Sequence, residues 1–165
     1  MKKAPGLPVT IEWCDGVSDS MREALEPYIT EWSWVVPTWC HTLYVDTAGM
    51  DVGTLGLCIA EPEYRRATVK FGHAWFRSSE PMRHGVILHE LLHISNNPLG
   101  DAAEHLIETY VPEPARVLAK ETIRLRIEEL TADMENAVLR RVRPDLAPVP
   151  LTPKRRRRRR VSPAK

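Results

Sequence analysis

The 165-residue chain is long enough for one domain with appendages and too short for two full ones. With 43% hydrophobic and 27% charged residues it has the composition of a globular protein, which excludes a chain disordered throughout. The net charge of +1 conceals an asymmetry: residues 154–165 carry eight positive charges and no acid, whereas the remainder holds 15 basic and 22 acidic side chains.

No apolar run approaches the length of a membrane span, and residues 1–8 lack the apolar core of a signal peptide, so a cytoplasmic protein is expected. Cys14, Cys40 and Cys58 are odd in number, widely spaced and without C-x-x-C pairing, which fits small buried hydrophobes in a reducing compartment.

In chain order, residues 9–13 alternate as a short strand until Asp15-Gly16 breaks it. Ser18 or Asp19 then caps a helix over about 20–34, with Met21, Leu25, Tyr28, Ile29 and Trp32 on its apolar stripe and Pro27 as a kink. Trp32, Trp34 and Trp39 are read as core. Residues 39–46 and 57–60 have strand composition, separated by a glycine-rich turn at 47–56. The longest strand expected is 66–76, where Ala67, Val69, Phe71, His73 and Trp75 alternate with Thr68, Lys70, Gly72 and Ala74. Short turns between these runs predict an antiparallel meander. The fold class expected is α+β: a small antiparallel sheet of three to four strands with helices on one face, and residues 69–76 nearest the cleft.

Residues 85–110 carry the chemistry. His89, Glu90 and His93 form H-E-x-x-H within an apolar helical segment containing Val86, Ile87, Leu88, Leu91, Leu92 and Ile94. Residues four apart share a helix face, so both imidazoles reach one ion, and Glu90 can serve as general base on a water there. Buried in such a helix, these polar groups are costly unless a metal or another partner satisfies them. Pro98 and Gly100 predict a break, with Asp101 capping a second, antiparallel helix that ends before Pro112. In that arrangement Glu104 faces His93 and Glu108 lies level with His89. Two carboxylates thus share one face opposite the histidines, although Asp101-x-x-Glu104 also has the spacing of a capping box. His41, His73 and His84 lie off the ligand face and are read as polar or hydrogen-bonded residues; His41, His73, His84 and Tyr110 are alternatives for an oxyanion donor.

The combination resembles the gluzincin metallopeptidases, most closely small phage-encoded zinc metallopeptidases of one short domain. The resemblance covers about residues 30–112. It implies a bacterial or phage-infected host cell, zinc as cofactor, a peptide or protein substrate and hydrolysis of the peptide bond. By the same resemblance His89 and His93 are zinc ligands, Glu90 the base, Glu104 the favoured third ligand with His105 and Glu108 as rivals, and Glu108 the carboxylate that fixes the His89 tautomer. The sequence departs from the family in two respects: most gluzincins place the glutamate helix farther along the chain, and many have aspartate where Glu108 stands.

Beyond Pro112 a helical segment runs from 115 to about 141, with Val117, Leu118, Ile123, Leu125, Ile127, Leu130, Met134, Val138 and Leu139 at helical spacing. It either packs on the domain or pairs with another copy. The organisation expected is a zincin-like domain at 1–112, a long helix at 113–143, and a proline-rich linker with a disordered basic tail at 144–165. Arg155, Arg156, Arg157, Arg158, Arg159 and Arg160 are candidates for non-specific nucleic-acid contact through phosphates. The tail also brings in other readings. One is a protease of DNA-bound proteins similar to the SprT-like crosslink-repair peptidases, another an ImmA/IrrE-like repressor-cleaving peptidase. A third, from a different class, is an inactive nucleic-acid-binding protein whose metal is structural.

Overall fold

The computed structural model describes residues 9–148, so the first eight residues and the arginines at 155–160 lie outside the described residues. Strand β1 (Thr10–Trp13) leads into helix α1 (Asp19–Trp32), where the Ser18 Oγ accepts the Met21 N–H at 3.3 Å. A helical crossover is what two parallel neighbouring strands require, and β2 (Thr42–Asp46) accordingly pairs parallel with β1. Strand β3 (Gly56–Glu61) turns through Pro62–Tyr64 and Arg65, at φ 54°, into β4 (Arg66–Phe71).

The sheet order is β1-β2-β4-β3, with β4 parallel to β2 and antiparallel to β3. This corrects the meander: the sheet is mixed and β3 is an edge strand. The connection over residues 47–55, with Gly49 and Gly53 at positive φ, is long enough to pass one strand position and leave room for β4. The strand expected to run to residue 76 stops at Phe71. Gly72 comes so close to the incoming loop that a β-carbon there would lie 2.2 Å from the Thr54 carbonyl oxygen, and His73–Phe76 form a helical turn, α2.

Burial alternates along β2 and β4, with Leu43, Val45, Ala67, Val69 and Phe71 inside, so one face of the sheet is covered. Leu25, Ile29 and Trp32 of α1, and Ile87, Leu88, Leu91 and Ile94 of the next helix, complete the α+β core. Trp32 is fully buried, Trp39 packs against the core, and Trp34 is exposed.

Helix α3 (Glu80–Tyr110) runs unbroken through Pro98, contrary to the break expected near residues 95–101. Proline removes one backbone hydrogen bond, but packing on α4 (Glu113–Val142) supports the helix beyond it. Asn96 Nδ2 donates to Thr131 Oγ1 at 2.8 Å, and Gly100 lies against Ile127, where a β-carbon would come within 2.7 Å of Cδ1. Gly100 is thus a packing glycine inside a helix. The antiparallel helix pair does exist, but its turn is at Val111-Pro112, with Val111 already extended at ψ 130°. Among the described residues, no helix is long and apolar enough to cross a membrane.

Candidate metal centre

His89 and His93 stand one helical turn apart on the face of α3 turned to α4. Their Nε2 atoms are 3.1 Å apart. Because α4 runs back along α3, Glu128 arrives opposite them, with Oε2 3.4 Å from His89 Nε2 and 3.6 Å from His93 Nε2. Metal–ligand bonds of about 2.0–2.1 Å at tetrahedral angles place donor atoms about 3.3–3.4 Å apart. The three edges bracket that value. Two imidazole lone pairs and a carboxylate oxygen aimed at one point repel each other unless a cation or a proton lies between them, so this donor set fits a metal ion.

Two turns farther along, α4 supplies the orienting group. His89 Nδ1 lies 3.1 Å from Glu135 Oε2, so an Nδ1–H donates to the carboxylate and leaves Nε2 free as a ligand. That hydrogen bond is the main cause of the raised His89 pKa. Gly85 permits the approach, since a β-carbon there would lie 2.9 Å from Glu135 Oε1. His93 is shifted the other way, down, by burial and then by His89 beside it. Its Nδ1 is buried without a hydrogen-bond partner among the described residues.

Glu90 points from α3 towards β3. Burial is the chief reason its carboxyl is pushed up to about 7. A β-carbon on Gly56 would lie 2.7 Å from Glu90 Cγ and Oε1, so the glycine in the edge strand makes the space the carboxylate occupies. Gly56 and Cys58 of β3, His89, Glu90, His93 and Glu128 enclose one small cavity. The strand beside the site is therefore β3, whereas residues 69–71 belong to the interior strand β4. The Cys58 thiol is raised chiefly by burial and, after it, by the charge of Glu90.

The structure does not bring Glu104 opposite the histidines. On a continuous helix it sits eleven residues past His93, about 16 Å along the axis. It borders a separate small cavity that His93 and Glu128 close at the other end. Glu108 is paired with Arg116, at 3.4 Å, and with Lys120, far from His89. His105 is exposed. Tyr110 ends α3 some 25 Å beyond His93 and is 77% exposed, which leaves it outside the site. His84 is buried against α1, where it accepts the Trp32 Nε1–H at Nδ1, and Arg65 Nη1 lies 3.4 Å from His41 Nε2.

Sequence reasoning missed Glu128 and Glu135. The available signal was positional: with the turn at Pro112, a residue near 130 stands across from His93. The site thus crosses the boundary expected at residue 112. No protein-family model, curated protein or solved structure matches the chain significantly.

Proposed function

We propose that the protein is a zinc-dependent metallopeptidase with His89, His93 and Glu128 as ligands and Glu90 as general base. The observation that carries this reading is the triangle of donor atoms, 3.1 to 3.6 Å on its edges, with a buried carboxylate beside it. When bound, zinc supplies Lewis acidity that polarises the substrate carbonyl and acidifies water. Glu90 takes the proton from the attacking water and returns it to the leaving amine. Burial makes this carboxylate a stronger base than an exposed one, which suits proton abstraction. Glu135 holds His89 in the tautomer that presents Nε2. The open edge of β3 offers main-chain hydrogen bonds to an extended substrate, with Leu57 and Ile59 exposed along it.

Elemental analysis of the wild type against His93→Ala and Glu128→Ala tests the ligands. Each variant is expected to lose stoichiometric zinc. Glu90→Gln is expected to keep the metal and lose peptide cleavage; intact cleavage in that variant refutes the assignment of the base. Action on DNA-bound proteins would join this chemistry to the arginines at 155–160, which lie outside the described residues. Its expected signature is DNA-stimulated cleavage that disappears when residues 154–165 are deleted.

A further inference from the structure

A cavity of about 640 Å³ opens directly beside Glu90 and His89. That volume is in the range of sites that enclose organic ligands, and far more than one water needs. Its walls come from three places. Leu55 and Gly56 lie on the side of the edge strand, Met82 and Val86 on the first turns of α3, and Leu139 and Leu146 at the end of α4 and just beyond it. The lining is mostly apolar, and its carboxylates, Glu90 and Glu135, stand at the end nearest the metal centre.

Resting on the peptidase reading, we infer that this cavity selects the substrate by receiving a large apolar side chain next to the bond that is cleaved. Three observations converge on this occupant. The cavity is continuous with the reacting groups, so what fills it must be attached to the substrate near the scissile bond. The apolar walls reward a side chain that leaves water, in proportion to the area buried. The two carboxylates at its inner end repel an acidic side chain. A peptide lying along β3 is already beside Gly56, where that strand borders the cavity, so an alternate side chain of an extended chain can turn into it. Met82 and Val86 are then specificity-determining residues, with Leu139 and Leu146 forming the far wall.

The test uses the full chain carrying Glu90→Gln and blocked hexapeptides that differ at one central position: Ala, Leu, Phe or Asp. Binding is followed by isothermal titration calorimetry, independently of turnover. The Phe peptide is expected to bind roughly tenfold or more tightly than the Ala peptide, and the Asp peptide more weakly than either, since the apolar walls and the Glu135 carboxylate are unchanged in this variant. Val86→Phe narrows the cavity and is expected to shrink the Phe preference while the Ala peptide still binds. Met82 is half exposed, so Met82→Asp tests the same wall at a position that tolerates change, and there the preference is expected to shrink severalfold. Equal affinities for Ala and Phe, no binding of any peptide, or a preference untouched in both folded variants overturns the inference. Cleavage by the wild type separates the two claims. Size-dependent binding without cleavage sinks the peptidase reading and leaves the pocket standing, whereas cleavage indifferent to side-chain size does the reverse.

Discussion

Gly56 and Glu90 compete for one volume: the carboxylate of the helix fills the space where a β-carbon of the edge strand would be. Gly56 is not at positive φ, so Gly56→Ala introduces no backbone strain, and the atoms its β-carbon meets first are those of Glu90. On the proposed metallopeptidase reading, the variant is expected to bind zinc like the wild type and to lose roughly ten- to a hundredfold in kcat, because a general base displaced by an ångström no longer meets its proton. The cost in stability should be about 1–3 kcal/mol, typical of overpacking. Steady-state kinetics with metal analysis on the same preparation decides it, and an unchanged kcat refutes the positioning role.

The ligand assignment makes a graded prediction. Glu128→Gln removes a charged ligand and Glu135→Gln only the acceptor that orients His89. Competition against a chromogenic chelator is expected to show zinc affinity falling about 10–100-fold for Glu135→Gln and further for Glu128→Gln. Glu104→Gln and Glu108→Gln should bind zinc like the wild type, since both lie away from the histidine nitrogens. A loss in Glu104→Gln equal to that in Glu128→Gln would restore the arrangement expected from the sequence alone.

Asn96 and Thr131 hold α3 to α4 just past the metal centre, and both are buried. Thr131→Val leaves the Asn96 amide facing apolar surroundings and is expected to cost about 1–3 kcal/mol in urea unfolding. The double variant Asn96→Leu/Thr131→Val should cost less than the sum of the single changes, because the two groups satisfy each other. Additive costs would mean that the hydrogen bond does not couple them.

The histidine pair was legible because spacing of four on a helix needs no tertiary information. The α+β class was legible too, from the period-2 alternation of Ala67, Val69 and Phe71 and the helical stripes of α1 and α3. Sheet order was not, because a connection as long as residues 47–55 does not say which side of β4 the next strand takes. The break at Pro98 failed for a physical reason: local proline chemistry was outweighed by packing of Asn96 and Gly100 against α4. With the turn at Pro112, the helix facing the histidines spans Glu113–Val142. Glu128 and Glu135 could not be singled out in a helix that also carries Glu121 and Glu129 until that turn was placed.

His84 makes the acid side of stability predictable. It is buried beneath Tyr28, at 4.6 Å between ring centroids, and its Nδ1 accepts the Trp32 indole N–H at 3.1 Å. A proton on Nδ1 would set one N–H against another. Burial is the largest cause of its lowered pKa; Arg143 adds to it, while Glu31, Glu80 and Asp145 pull the other way. Since the folded value lies below the ordinary one of about 6.5, the stability gained by keeping His84 neutral is fully present above that pH. It is lost as pH falls through the folded value. His89 has the opposite sign, its raised value favouring the folded state at lower pH, so the effect must be isolated as a difference. With chelator present, urea unfolding followed by tryptophan fluorescence at pH 7.5 and pH 5.5 is expected to show a larger loss for the wild type than for His84→Gln. The glutamine keeps an acceptor for Trp32 and cannot charge. Equal losses in the two proteins would show that His84 is protonated in the fold without penalty.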